Sequence, residues 1–220
     1  DADRARADAI LRRRTDRLPF AAPAAWSAIE PVLRSTVDPD KSTLSVLADA
    51  VRPQLAQASR LTEALRRYDT SYHAELQWWT ASFEVSDGIP HSALASESEQ
   101  ARVDIARTFP AGDHPEGRPE VARDRSVIAV LSTDGDGRRD ALGCGEALSD
   151  VLLEATLAGL ATCTLTHMTE LEASRSIIRT LTGGSGNPQL LIRIGQVPEL
   201  SAPPPATPRR PLAEVLEIHG

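Results

Sequence analysis

The chain has 220 residues and is poor in several things that would decide its class at once. It holds two cysteines, Cys144 and Cys163, without CxxC spacing, which excludes a disulfide framework and points to a reducing, cytoplasmic compartment. No run approaches the roughly 18 apolar residues of a membrane span. The opening "DADRARADAI" is charged, so it is no signal peptide; it also lacks an initiator Met and reads as a fragment or processed chain. Of the 24 basic residues only Lys41 is a lysine. A net charge of -7 and a pI near 5.3 argue against nucleic acid as a partner, which requires a basic face. Catalytic signatures are missing too. No GxGxxG supports a dinucleotide fold, no GxSxG supports a hydrolase, and "GGSGNP" (183–188) precedes a strand without GK[ST], so it reads as a turn and not a phosphate loop. The five histidines show no metal-ligand spacing, and no metal is expected.

What remains is an alternation of helices and strands. Helices are expected at 4–14, 23–35, 50–69 (capped by Asp49), 72–82, 139–160 and 170–181, with a short one in "LAEVLEI". Strands are expected at 42–49, 126–133, 161–166 and 189–197. The run "SVIAVLST" is nearly all apolar and so a buried strand. The class is α+β or α/β. Residues 83–125 are polar and punctuated by Gly, Pro and Ser, and read as an excursion covering something; 198–220 form an extended, Pro-rich tail.

Chemistry concentrates in "AILRRRTDRLPF" (9–20), which places Arg12, Arg13, Arg14 and Arg17 within six positions of an acidic chain. Arginines at a helix C-terminus can simply complement the helix dipole. Here Thr15 adds a hydroxyl, Arg17 lies beyond the helix, and Arg209 and Arg210 form a second pair in the stiff tail. Guanidinium forks with a hydroxyl suit a dianionic phosphate. Cys163 in an apolar strand reads as core, His167 as a core or surface residue, and one of Trp78 and Trp79 must face outside its own helix.

These pieces, in this order, resemble nitroreductase-like flavoproteins over residues 5–217, and more narrowly the second half of the actinobacterial Acg-type proteins, in which one chain carries two nitroreductase-like halves. "RRRTDR..F" is similar to the family's FMN-phosphate grip, "GEALSDVLLEATLAGLATCTLT" to its central helix and following strand, and "TPRRPL" to its terminal clamp. The resemblance implies an α+β fold with a central, mostly antiparallel sheet flanked by helices, formed by residues 1–220 as one domain in which 83–125 act as a lid. It implies FMN as cofactor, with Arg13, Arg14, Thr15 and Arg17 on its phosphate and Arg209 and Arg210 on the far side. Thr164, Leu165 and Thr166 would run along the flavin ring; Thr164 stands where the family has Pro and Thr166 where it has an acid, so no catalytic side chain is expected. Partners implied are NAD(P)H, a small nitro or quinone acceptor, and a second nitroreductase-like half from the same chain or another subunit. The alternative function is a protein that sequesters FMN under its lid with little reductase activity.

Overall fold

Strand β2 (Val127–Thr133) is the apolar run of the sequence, and six of its seven residues are buried. It lies at the centre of a computed structural model that describes residues 2–80, 88–112, 115–184, 186–199 and 210–217. The other strands are β1 (Thr43–Leu47), β3 (Ala161–Leu165) and β4 (Asn187–Gly195), in the order β1-β2-β4-β3 with every neighbouring pair antiparallel. Leu44 faces Leu131, Val130 faces Leu191 and Cys163 faces Arg193 across the ladders.

Helices cover both faces, which is why β2 and β4 read as continuous apolar runs instead of alternating ones. On one face Ala129, Leu131, Ile192 and Ile194 pack with Leu33 of α2 (Trp26–Ser35) and with Val151 and Ala155 of α6 (Arg138–Leu157). On the other, Ile128, Val130, Cys163 and Leu191 pack with Leu55 and Ala58 of α3 (Arg52–Arg66) and Ile178 of α7 (Glu172–Leu181). The fold is thus α+β. The remaining helices are α1 (Ala2–Arg12), α4 (Thr70–Trp79), α5 (Glu97–Ala101) and α8 (Leu212–Val215). No helix among the described residues is long and apolar enough to cross a membrane.

Some boundaries differ from expectation. Asp49 does not cap α3: it opens a 3-10 turn, Asp49–Val51, and the residue before α3 is Val51, with no side-chain cap. Pro53 in the first turn supplies no N–H, so little is left there for a cap to satisfy. Asp69, expected at the end of one helix, instead starts the next by accepting a hydrogen bond from Tyr72 N at 3.0 Å. The described parts of 83–125 are anchored to the core. They carry a Ser96/Glu99 capping box on α5, bury Val103, Ile105 and Val121, and insert the fully buried Arg118. Cys144 and Cys163 are both free and buried, and Trp78 and Trp79 are both largely exposed.

Candidate functional site

Helix α1 ends at Arg12, and the arginines after it part company. Arg14 turns back and donates to the carbonyls of Leu11 at 2.6 Å and Arg13 at 3.0 Å, satisfying acceptors that the last turn of a helix leaves bare. The chain then straightens. Thr15 forms a parallel bridge with Thr162, Asp16 N donates to Thr162 O at 2.9 Å, and Ala21 exchanges hydrogen bonds of 3.0 and 2.9 Å with Gln196. Residues 15–21 therefore run along the outer edge of β3 and across the end of β4. Gly195 permits that crossing, because a Cβ there would lie 2.4 Å from Phe20 Cβ. In extended chain, side chains alternate. Asp16 points inward to an ion pair with the buried Arg118, while Thr15 and Arg17 open onto a cavity.

That cavity, of about 320 Å³, lies between α3, β3 and the segment 95–109. Thr15, Arg17, Ser59, Cys163 to Thr166 and Arg193 are among its walls. Arg17 stacks over the Phe109 ring at 4.9 Å. Among the described residues its guanidinium has no carboxylate or carbonyl partner, and burial lowers its pKa below the ordinary arginine value. A second hollow of about 250 Å³ shares Thr15 and Arg17 and is walled by Trp79, Ile89 and Pro90. Gly88 shapes it: its φ is +97°, and Ile89 N closes onto Trp79 O at 2.7 Å.

The edge of β3 contributes backbone. Thr162 C=O points outward to Asp16, so by the two-residue alternation of an edge strand the N–H and C=O of Thr164 point the same way, toward the cavity. At the rim, Thr166 Oγ1 donates to Glu170 at 2.9 Å, and Glu170 also pairs with Arg107 and, at 2.9 Å, with Arg66. On the α3 side, Ser59 Oγ donates to Ala106 O at 3.0 Å and lies 3.1 Å from His167 Nε2, which then carries the proton. His167 is fully buried, and burial with the charges of Arg107 and Arg66 pushes its pKa down to about 3, so the ring is neutral. It is a core residue.

Behind the cavity lies a buried polar knot. Asp124 accepts from Arg193 at 2.7 Å, Arg52 at 2.6 Å, Ser126 at 2.6 Å and Phe20 N at 2.8 Å. Burial alone would raise its pKa, but Arg193 and these donors outweigh burial and hold it below the ordinary value. Sequence reasoning missed this group; the one visible sign is an arginine inside the apolar strand "QLLIRIGQV".

Of the residues expected at a phosphate and ring site, Thr15, Arg17, Thr164, Leu165 and Thr166 meet in the cavity. Arg14 is engaged at the end of α1, and neither Arg13, half-buried, nor Arg210, exposed ahead of α8, lines it. Arg209 lies outside the described residues. Among the described residues no cluster of three or more His, Cys, Asp or Glu could hold a metal ion.

No family model matches the chain. It is 57% identical over 217 residues to the Mycobacterium tuberculosis protein named "Putative NAD(P)H nitroreductase acg", covering 99% of the chain and 66% of that relative. It is 54% identical over 215 residues to the M. tuberculosis protein Rv3127, covering 98% of the chain and 62% of the relative. The chain thus spans about two thirds of the length of these relatives. Among solved structures it resembles the FMN-dependent nitroreductase NfnB of Mycobacterium smegmatis, in complex with NADPH, with a TM-score of 0.60, 16% identity and full coverage of both chains. It also resembles a nitroreductase with bound FMN from Bacteroides fragilis, with a TM-score of 0.60 and 12% identity over 98% of each chain. At these identities the structural likeness shows the fold.

Proposed function

The chain belongs to the Acg-type nitroreductase-like family, and from that premise we propose that it binds FMN and passes electrons from NAD(P)H to a small nitro or quinone compound. The observation that carries this reading is Arg17: a half-buried cation that stacks on Phe109 but has no carboxylate or carbonyl partner among the described residues, opening with the Thr15 hydroxyl onto a cavity. A desolvated, unpaired guanidinium is costly in a finished structure and fits a site completed by an anion. The size of the cavity, its aromatic wall at Phe109 and the open backbone edge at Thr164 fit the ring system joined to that phosphate.

In this reading Thr15 and Arg17 grip the phosphate, and the edge of β3 from Thr164 to Thr166 hydrogen-bonds the ring. Arg209 and Arg210 would complete the grip from the far side. Bound FMN supplies the hydride chemistry. The chain's own residues bind it, orient it and keep water from one of its faces; none needs to serve as acid or base. The residues 83–125 act as the lid over the site, and a second nitroreductase-like half, from the same chain or another subunit, closes the rest. The cytoplasm, with its supply of NAD(P)H, is the compartment this requires.

The test is FMN titration, followed by fluorescence quenching, of the parent chain, Arg17→Gln and Arg14→Gln. A charge-assisted phosphate contact is worth about 1.5–3 kcal/mol, so Arg17→Gln should weaken binding about 10- to 100-fold. Arg14→Gln, which removes a helix cap, should leave affinity nearly unchanged. Equal affinity in all three would refute the phosphate grip. Flavin that binds but is not bleached by NAD(P)H would favour sequestration.

A further inference from the structure

Helix α3 forms one wall of the cavity, and its side chains divide there by depth. Ser59 is buried against Ala106, while Arg60, also among the walls, is exposed and so stands at the mouth. Two turns on, Arg67 follows the end of α3 in helical backbone, with φ -51° and ψ -36°, and is exposed as well. Seven residues bring a helix back to within about 20° of the same face and advance it about 10 Å. Arg60 and Arg67 therefore lie on one stripe that leads away from the mouth.

The neighbouring cations are spent. Arg66 pairs with Glu170 at 2.9 Å and with Asp69 at 3.4 Å, and Arg107 pairs with Glu170 as well. Glu63, the carboxylate between the two on α3, accepts from Thr108 N at 3.2 Å and pairs with neither. Among the described residues the guanidinium groups of Arg60 and Arg67 have no hydrogen-bond or carboxylate partner. In a chain of net charge -7, two unpaired arginines on one stripe beside a cavity fit a ligand that carries two phosphate groups.

We propose that Arg60 and Arg67 receive the phosphates of the electron donor, Arg60 the diphosphate near the mouth and Arg67 the 2′-phosphate that only NADPH carries. This rests on the reading above, in which NAD(P)H reduces a flavin held in the cavity. The nicotinamide must enter the mouth to meet the ring, so the rest of the donor runs out over the surface beside it, and the α3 stripe supplies cations there. The diphosphate and the 2′-phosphate of NADPH are one ribose apart, a spacing that two long side chains about 10 Å apart along a helix can span. NADH leaves Arg67 without an anion, so the chain takes NADPH in preference. Both contacts are exposed to water, which holds each to about a fivefold effect.

The experiment titrates the FMN-loaded chain with NADP⁺ and with NAD⁺ by calorimetry, which needs no turnover, and measures FMN affinity separately. The variants are Arg60→Gln, Arg67→Gln and Arg67→Lys, at two exposed positions whose side chains hold nothing else in place. We expect the parent to bind NADP⁺ about fivefold tighter than NAD⁺. Arg67→Gln should lose that difference by weakening NADP⁺ alone, and Arg67→Lys should keep most of it. Arg60→Gln should weaken both dinucleotides by about the same factor, and FMN affinity should stay at the parent's value throughout. Equal binding of NADP⁺ and NAD⁺ by the parent, an undiminished preference in Arg67→Gln, or no dinucleotide binding by the FMN-loaded chain overturns the proposal and leaves the FMN site standing. A fall in FMN affinity in Arg60→Gln would place that arginine on the flavin and overturn the role given to it here. A parent chain that binds no FMN at all removes the FMN reading and this inference with it.

Discussion

Lowering the pH from 7 to 5 should cost the fold about 2 kcal/mol through His167 alone. The ring is fully buried, its Nε2–H is given to Ser59 Oγ at 3.1 Å, and the charges of Arg107 and Arg66 bear on it. Burial and those two charges disfavour the imidazolium, so the folded pKa is about 3. In the unfolded chain it returns to about 6.5. Between those values the unfolded state holds one more proton than the folded state, and stability falls as pH falls, by about 1.36 kcal/mol per unit. The contribution is intact above pH 6.5 and declines below it; over the interval from pH 7 to pH 5 the loss is about 2 kcal/mol. Urea unfolding at pH 7 and pH 5 of the parent and of His167→Gln measures it. Glutamine still presents an N–H toward Ser59 but does not titrate, and the carboxylates common to both proteins cancel in the difference. The parent should lose about 2 kcal/mol more than the variant on acidification. An equal loss in both would mean that His167 is solvated or already charged in the fold, and the burial argument would fail.

Two further substitutions test the frame that holds the site. Asp124→Asn leaves the buried Arg193 without its carboxylate while Arg52 keeps Asp104, and it should cost about 3–5 kcal/mol in urea unfolding; a cost under about 1 kcal/mol would show that the knot is not the anchor described. Gly195→Ala places a Cβ 2.4 Å from Phe20 Cβ and 2.9 Å from Ala21 O, so it should destabilise by about 1–3 kcal/mol and weaken FMN binding, because residues 15–21 must lift from β4 to make room; unchanged thermal unfolding would refute that close approach.

The layered α+β arrangement was legible wherever one element carried its own signal. "SVIAVLST" became β2 because a strand buried on both faces must be apolar throughout, and α6 followed from helical spacing of its core residues. The site was half legible. The sequence shows four clustered arginines but not their directions, because 12–14 end a helix while 15–21 are extended, and only pairing with Thr162 and Gln196 fixes that change. The Asp124 knot was not legible. Its members come from positions 20, 52, 124, 126 and 193, and no local period reports a contact between residues so far apart in the chain.

The change from helix to extended chain after Arg14 also explains how a cation can stay available in an acidic protein. Asp16 precedes Arg17 directly, and in a continued helix the two side chains would project about 100° apart on one surface, with Asp16 free to meet any cation near it. In the extended segment they project to opposite sides. Asp16 is buried and spent on Arg118, and Arg17 is left facing the cavity. The bridge between Thr15 and Thr162 is therefore more than an edge contact. By holding residues 15–17 extended it keeps the nearest carboxylate from neutralising the arginine, as the phosphate grip proposed above requires. In that reading the register of one short segment against β3, and not the net charge of the chain, decides what the cavity accepts.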